Sequence, residues 1–426
     1  MTFITAGAVA GLVLAGAALA WRVGGPSGRP FDPAHPVRVL VLVYVAFYGA
    51  GSIALAAAGE ATAGPLVVGA AFVVLAGGVW LGKLLFGQPV DFQPEATVGS
   101  VRALAAAAAA LVGMAGYSWL AVEHGIPLLS DDPQTTRSHY GGVRFDAFRW
   151  LVPPAALVTL GLALARPSRR AWIAAIAITA GVVGLEALAA SRALPFELGM
   201  AGILTAMWAG RRIAPRNWLA IALAGLILFL GVQFARIGDR GGFSDPAAAV
   251  SFAVNRTIGR VVLIHPRTIE TVVMTFPEEE PYLAGGTYVR WLSGVMGTER
   301  PESLGSMLFR RLFPDEPVGG FAAPGLLGEA WANGGPVLAA LFMLLLGILA
   351  STLSSLARGM SSGAVDRTIA ALLTVALART YAMSLNGFLL TVIVTTAWWI
   401  ATSGRYARFG ESAGALRRLV HRENPS

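Results

Sequence analysis

The sequence predicts an all-α protein that crosses a membrane many times. Of its 426 residues, 55% are hydrophobic and only 13% are charged, whereas a soluble protein carries about one quarter charged residues. The mean hydropathy is positive, at +0.65. A soluble core cannot bury so much apolar surface, but a lipid bilayer can.

The transmembrane segments are predicted from apolar runs close to the length of about 20 residues that spans a hydrocarbon core. The first run is not typical of a cleaved signal peptide, because no charged residue precedes it and Arg22 follows it. About 11 spans are predicted: 3–21, 37–58, 64–82, 102–121, 150–165, 171–190, 193–210, 217–236, 325–351, 368–384 and 388–403.

The positive charges predict the orientation of these spans, because cytoplasmic loops are enriched in arginine and lysine. The short segments at 59–63 and 385–387 carry neither residue. The alternation places the N-terminus outside and the C-terminus in the cytoplasm. The cytoplasmic set is Arg22, Arg29 and Arg38; Lys83 and Arg102; Arg166, Arg169 and Arg170; Arg211, Arg212 and Arg216; Arg358 and Arg367; and the tail with Arg405, Arg408, Arg417, Arg418 and Arg422.

This topology predicts three regions. Residues 1–236 form a membrane domain with the first eight spans and an outer loop at 122–149. Residues 237–324 form a large extracytoplasmic loop before the ninth span, and residues 325–426 hold the last three spans and a basic cytoplasmic tail. In the large loop, 247–276 has the pattern of an amphipathic helix suited to a membrane surface, with Ile269 on its apolar face and Arg267 on the other side. The tail is expected to bind anionic membrane lipids.

Several chemistries are poorly supported by the sequence. The chain has no cysteine, and its five histidines show no metal-binding spacing, so no metal site is expected. A Walker loop, a GxSxG elbow and a dinucleotide-binding fingerprint are all missing, so no cofactor is expected. The positive net charge of +8 is attributed to topology and to a substrate, not to nucleic acid.

Arginines on the outer side suggest an anionic substrate, because guanidinium pairs well with pyrophosphate and topology does not require positive charge there. Ten acidic residues in 237–324 offer the alternative that many of these arginines form ion pairs. The strongest candidate ligands are Arg192, Arg256 and Arg260. The outer set is Arg137, Arg144, Arg149, Arg192, Arg236, Arg240, Arg256, Arg260, Arg267, Arg290, Arg300, Arg310 and Arg311.

Other polar groups near the spans are candidates for catalysis. Glu329, at the start of the ninth span, and His139, in the first outer loop, could each act as a general base. Glu329 could equally cap a helix or pair with an arginine. Arg379 falls inside an apolar run, where it would need a polar cavity or a partner, or could reach the membrane surface. Glu186 is also within a span and could be catalytic, but its position favours a structural ion pair with an arginine such as Arg192 or Arg379.

Four strings resemble the bacterial oligosaccharide repeat unit polymerases, the Wzy-type O-antigen polymerase family. These are GIPLLS at 125–130 with an arginine close behind, the Ser191–Arg192 pair, GGTYVRWL at 285–292 and PGLLGEAWANGGPVLAALFMLLLG at 324–347. The resemblance covers roughly residues 115–350. One departure is that the family often has a proline-rich stretch after the GTY region, whereas this chain has only Pro301 there.

The resemblance implies a metal-independent glycosyltransferase in the bacterial plasma membrane. The growing glycan on undecaprenyl pyrophosphate would be transferred en bloc to the next lipid-linked repeat unit. Arginines would hold the pyrophosphate and a base would deprotonate the acceptor hydroxyl, with inversion at the anomeric carbon. The implied ligands are Arg192, Arg256, Arg260, Arg137, Arg379 and Arg240, and the implied base is Glu329 or His139. A chain-length regulator is a further candidate partner.

Three alternatives remain open at this point. An O-antigen ligase would use the same donor with another acceptor. A transporter or flippase for a lipid-linked sugar is disfavoured, because the sequence shows no internal repeat. A membrane protein with a purely structural role is disfavoured by the large, charged outer loop.

Overall fold

The computed structural model describes residues 2–24, 35–86, 100–130, 136, 143–189, 193–211, 214, 216–217, 223, 225, 227, 231, 251, 254, 259–289, 302–315, 321–360 and 363–403. Within these ranges the regular structure is helical, with no strand. The helices are α1 (Thr2–Gly24), α2 (Pro36–Tyr44), α3 (Ala50–Ala58), α4 (Ala63–Phe86), α5 (Ser100–His124), α6 (Val143–Ala165), α7 (Arg169–Leu188), α8 (Ala193–Trp208), α9 (His265–Thr275), α10 (Leu304–Leu312), α11 (Gly325–Met360), α12 (Ala364–Ala378) and α13 (Leu385–Ser403).

Short π- and 3₁₀-helical turns join or extend some of these helices. A π-helical turn at Val45–Gly49 connects α2 to α3, and another at Gly259–Ile264 leads into α9. The 3₁₀ turns are Pro127–Leu129 after α5 and Arg379–Tyr381 after α12. Such π-helical turns are often found at functional sites.

The protein is an all-α, multi-pass membrane protein, as predicted. Seven helices of the described chain are long and apolar enough to cross a bilayer: Phe3–Gly24, Pro36–Ala58, Ala63–Phe86, Ala103–Leu129, Arg169–Leu188, Gly325–Ala357 and Leu385–Thr402. The predicted spans at 150–165, 193–210 and 368–384 correspond to the shorter helical segments of α6, α8 and α12. The predicted span 217–236 lies almost entirely outside the described residues, so the total of 11 stays a prediction.

The chain divides into two compact units. Unit 1 comprises Met1–Pro89, Gly242–Leu356 and Thr374–Thr391. Unit 2 comprises Val90–Gly241, Ala357–Leu373 and Val392–Ser426. Glu329 and Arg379 are candidate site residues that the structure describes, and both belong to unit 1.

Glycine allows close helix packing inside unit 1. A β-carbon on Gly78 of α4 would lie 2.2 Å from the carbonyl oxygen of Leu344 in α11, and one on Gly347 would lie 2.3 Å from the carbonyl oxygen of Leu75. Gly82, four residues after Gly78, also lies against α11. Small residues at this spacing let two backbones approach in a membrane, where van der Waals contact replaces the hydrophobic effect as the driving force.

Two buried carboxylates in the described part of unit 2 each accept a hydrogen bond from an aromatic side chain. The hydroxyl of Tyr117 in α5 donates to Glu186 of α7, and the indole nitrogen of Trp399 donates to Asp366 at 2.6 Å. Glu186 therefore has a hydrogen bond to a neutral partner. Arg192, one of its two proposed ion-pair partners, lies outside the described residues.

Candidate functional site

The candidate site lies at the start of α11 in unit 1, and it is bordered by α9, which packs against the turn between α3 and α4. The carboxylate of Glu270 in α9 accepts hydrogen bonds from the amides of Gly64 and Thr62, and so satisfies donors at the start of α4. Arg267 forms a 2.6 Å ion pair with Glu60 of the turn. The arginine-free 59–63 segment and this part of the large loop therefore lie together.

Helix α9 is amphipathic in the structure, but its apolar face packs on protein. Ile269 is 1% exposed, and α9 contacts α3, α4 and α10. Arg267, on the opposite face, has 48% of its side chain exposed. The membrane-surface interpretation of this apolar face was wrong for the part that is described, because neighbouring helices cover it.

Helix α11 is broken near its start, at Gly334 and Gly335. Gly335 has φ +66°, and a β-carbon there would lie 2.5 Å from the Tyr282 hydroxyl, so the position requires glycine. Pro336 follows, and it has no N–H to donate to the carbonyl of Ala332 one turn earlier. The amide of Leu283 takes that carbonyl instead, at 2.9 Å.

Asn333, the last residue before the break, joins α11 to the segment at 283–288, here called the GTY segment. The side-chain amide nitrogen of Asn333 donates to the Thr287 hydroxyl and to the carbonyl of Glu329, each at 2.7 Å. Its side-chain oxygen accepts from the amide of Gly285 at 3.0 Å. Asn333 is 4% exposed, so these bonds form away from water, where an unmade bond is costly.

Glu329, one turn before Asn333, lies at the centre of this group. Its side chain is 4% exposed, and one carboxylate oxygen accepts from the amide of Leu385, the first residue of α13, at 2.7 Å. A carboxylate at a helix N-terminus is stabilised by the helix dipole. The capping role considered from the sequence is therefore confirmed.

Asn386 and Tyr288 complete the group. The side-chain nitrogen of Asn386 donates to the carbonyl of Tyr288 at 3.0 Å and thereby fastens the GTY segment to α13. The Tyr288 hydroxyl is shielded from solvent beside Asn333. Burial, and secondly the negative charge of Glu329, raises the pKa of Tyr288. Tyr288 therefore stays protonated at neutral pH and can donate a hydrogen bond, but it cannot act as the base.

An aromatic cluster around His265 holds the turn between α12 and α13. The ring of Tyr381 stacks on Phe47 with centroids 4.0 Å apart, and His265 lies edge-on to Tyr381 at 5.0 Å. The hydroxyl of Tyr48 donates to the carbonyl of Tyr381 at 2.9 Å. A β-carbon on Gly325, which has φ +62°, would lie 2.1 Å from that same carbonyl oxygen. The turn is thus fixed against the first residue of α11.

Arg379 opens this turn. It is the first residue of the 3₁₀ turn Arg379–Tyr381, directly after the last residue of α12, and it is partly exposed. The interpretation of Arg379 as a residue inside a continuous span at 368–384 was wrong, because α12 ends at Ala378. A cation at a helix C-terminus also interacts favourably with the helix dipole.

Among the described residues, three of the outer arginines form ion pairs. Arg310 and Arg311 pair with glutamates of the large loop, as the alternative interpretation predicted, whereas the partner of Arg267 lies outside that loop. Each contacts a glutamate side chain, and Arg311 contacts two. The pairs are Arg267 with Glu60, Arg310 with Glu302, and Arg311 with Glu279 and Glu280.

Arg260 has its backbone in the π-helical turn before α9, which packs against Gly51 of α3 through the carbonyl of Val262. The other candidates are outside the described residues: His139, Arg137, Arg192, Arg240 and Arg256.

Sequence reasoning did not single out Thr287, Asn386 or His265. The Gly-Gly-Thr-Tyr string contained Thr287 but gave no partner for it, and its contact with Asn333 spans 46 positions. Among the described residues, no three histidine, aspartate or glutamate side chains converge in a way that could hold a metal ion. The chain matches no protein-family model, no curated protein and no solved structure.

Proposed function

We propose that this protein is a glycosyltransferase of the bacterial plasma membrane that polymerises undecaprenyl-pyrophosphate-linked oligosaccharide repeat units. The reaction takes place on the outer face, with the N-terminus outside and the C-terminus in the cytoplasm. The donor glycan is transferred en bloc from its lipid pyrophosphate to the next lipid-linked repeat unit.

One observation carries the proposal. Two strings on which the family resemblance rests, 285–292 and 324–347, are far apart in the sequence, yet Asn333 joins them beside Glu329, whose side chain is buried. Chance similarity in two separate strings gives no reason for such a contact. A shared, buried acidic centre is what two parts of one active site would form.

The chemistry assigns a role to each charged group. The acceptor hydroxyl oxygen forms a bond to the anomeric carbon while the bond from that carbon to the pyrophosphate oxygen breaks. Glu329 takes the hydroxyl proton, with His139 as the alternative base, and the pyrophosphate leaves with the bonding electrons. Arginines stabilise the charge on the leaving group. The first candidates are Arg260 and Arg379, which the structure places in unit 1, and the further ones are Arg137, Arg192, Arg240 and Arg256.

The test is polymer formation by the purified protein in lipid vesicles. The substrate is the undecaprenyl-pyrophosphate repeat unit of the source organism, and products are sized on a gel. We expect a ladder from the wild type, a loss of about 100-fold or more for Glu329→Gln, and a similar loss for Arg260→Ala.

Glu270→Gln is the matched control for Glu329→Gln. Both glutamates accept hydrogen bonds at the start of a neighbouring helix, and glutamine keeps an acceptor oxygen at each position. Loss of the ladder in Glu329→Gln alone supports a base at that position. Equal activity of the two variants would contradict the role of Glu329, and a wild type that forms no ladder beside an active control enzyme would contradict polymerisation.

The break in α11 favours one second candidate, a transporter or flippase for a lipid-linked saccharide. Discontinuous helices interrupted by glycine and proline often form the substrate site of transporters, and Gly334–Pro336 is such an interruption. Vesicles loaded with a labelled lipid-linked saccharide distinguish the two functions. Transport moves the label between leaflets without lengthening the glycan, whereas polymerisation lengthens it.

A further inference from the structure

We propose that the hydroxyl of Tyr288 determines substrate specificity by donating a hydrogen bond to a sugar oxygen of the lipid-linked saccharide. This inference rests on the proposed function, because it names a group of the same site that contacts the substrate. Neither the sequence context of Tyr288 nor the family resemblance assigns it this task. The Tyr288 hydroxyl is a buried polar group, and among the described residues it has no hydrogen-bond partner.

The polar groups around the Tyr288 hydroxyl are committed to other partners. The side-chain nitrogen of Asn333 donates to the neighbouring Thr287 hydroxyl and to the carbonyl of Glu329, each at 2.7 Å. An amide nitrogen has two N–H groups, so neither remains for Tyr288. A buried hydroxyl without a partner costs free energy, and such groups in native proteins are commonly explained by a role in binding or catalysis.

The backbone and the ring of Tyr288 are both held in place. Its carbonyl accepts from the side chain of Asn386 at 3.0 Å, and its amide donates to the carbonyl of Gly285 at 2.9 Å. Its ring packs against Phe342 of α11, with ring centroids 5.9 Å apart. Because these contacts restrain the side chain, the cost of the missing hydrogen bond is not relieved by turning the hydroxyl toward water.

Two consecutive residues of α13 connect Tyr288 to Glu329. The amide of Leu385 donates to the carboxylate of Glu329 at 2.7 Å, and the side chain of Asn386, the next residue, donates to the carbonyl of Tyr288. Tyr288 therefore belongs to the same centre as the proposed base. A donor at this position can bind a second oxygen of the sugar whose hydroxyl the base deprotonates.

The chemistry of this centre favours an uncharged ligand that is rich in oxygen. Burial, and secondly the negative charge of Glu329, raises the pKa of Tyr288, so the hydroxyl keeps its hydrogen and can donate it. A phosphate would place a second negative charge near the Glu329 carboxylate, whereas a sugar hydroxyl accepts a hydrogen bond without adding charge. A site that binds a sugar hydroxyl in this way rejects an analogue without it, because the buried donor is then left unpaired.

The experiment compares Tyr288→Phe with Tyr117→Phe as the matched control. Each variant loses one buried tyrosine hydroxyl, but the hydroxyl of Tyr117 has a partner in Glu186, in the other unit of the chain. Without substrate, Tyr288→Phe should melt at the wild-type temperature or up to about 3 °C above it, because it loses an unsatisfied group. Tyr117→Phe should melt about 2–3 °C below the wild type, because it loses a hydrogen bond to a carboxylate.

Substrate recognition is measured with the undecaprenyl-pyrophosphate repeat unit, as KM in the vesicle assay and as Kd from the rise in melting temperature. We expect Tyr288→Phe to raise both constants by about 3- to 10-fold, the effect of one hydrogen bond between uncharged groups, and to keep kcat within about threefold of the wild type. Tyr117→Phe should keep the wild-type KM. Undecaprenyl pyrophosphate without a saccharide should bind equally to the wild type and to Tyr288→Phe.

Each outcome has one meaning. Weaker binding of the repeat unit by Tyr288→Phe, without a loss of thermal stability, supports the assignment. A lower melting temperature of Tyr288→Phe without substrate, or unchanged binding of the repeat unit, overturns it. An equal loss of binding for undecaprenyl pyrophosphate alone overturns the assignment to the saccharide. A wild type that binds the repeat unit but forms no polymer overturns only the proposed function, and one that does not bind it overturns both.

Discussion

Acidification is expected to destabilise this protein through His265. Burial lowers the pKa of His265 to about 4, and a hydrogen bond to the carbonyl of Ala323 offsets this only in part. In the described structure the Nδ1 atom is buried without a partner, so a proton added there would have no acceptor. The unfolded chain takes up this proton near pH 6.5.

The size of the effect follows from the two pKa values. As pH falls below 6.5, the unfolded state binds a proton that the folded state refuses, so stability is lost between about pH 6.5 and 4. From pH 7.5 to pH 5 the loss is about 2 kcal/mol. With an unfolding entropy of about 2.1 cal/mol/K per residue, this corresponds to about 2 °C in melting temperature for a chain of this length.

Two measurements check this expectation. Histidine labelled with ¹⁵N reports the pKa directly, and His265→Phe identifies the resonance. The phenylalanine variant can keep the edge-on packing against Tyr381 and Phe47 but cannot titrate, so the wild type should lose about 2 °C more than the variant between pH 7.5 and 5. A measured pKa near 6.5, or equal losses in the two proteins, would refute the reasoning.

Two further predictions concern packing and charge. Gly78→Ala places a methyl group against the carbonyl of Leu344 and should cost about 1–3 kcal/mol of stability. In Gly77→Ala the new β-carbon meets no atom within 4 Å among the described residues, so this control should be neutral or stabilise by up to about 1 kcal/mol. Equal melting temperatures of the two variants would argue against close contact of α4 and α11. Arg311→Ala breaks contacts with two glutamates and should cost about 1 kcal/mol of stability at low salt. Arg310 is more exposed, so Arg310→Ala should cost about 0.5 kcal/mol or less. Equal melting temperatures of the two variants, or an equal dependence of those temperatures on salt, would contradict this.

The membrane fold could be predicted because hydropathy reports it directly. The ninth run was predicted to begin at residue 325, and α11 begins at Gly325. Its interruption was not predicted, although a Gly-Gly-Pro string within an apolar run is a signal for a break. The run at 368–384 was extended past the end of α12, although Arg379, Thr380 and Ser384 are polar and could have indicated an earlier end.

The candidate site could be predicted only where a residue type is unusual in its surroundings. Glu329 stood out as a carboxylate at the start of an apolar run, and the structure buries it. Thr287 and Asn386 did not stand out, because their importance lies in partners that are distant in the sequence. The aromatic contacts of His265 could not be predicted either, since its partners lie in two segments that are distant from it in the sequence.

The proline that follows the break in α11 has a consequence for evolution. The carbonyl that it leaves unpaired is the one to which Leu283 attaches the GTY segment. Moving the proline by one position would release a carbonyl about 100° further around the helix, and the anchoring point would turn away from Leu283. Homologous chains should therefore change the position of this proline and the length of the segment before 283 together, so that an insertion in one is matched by a change in the other.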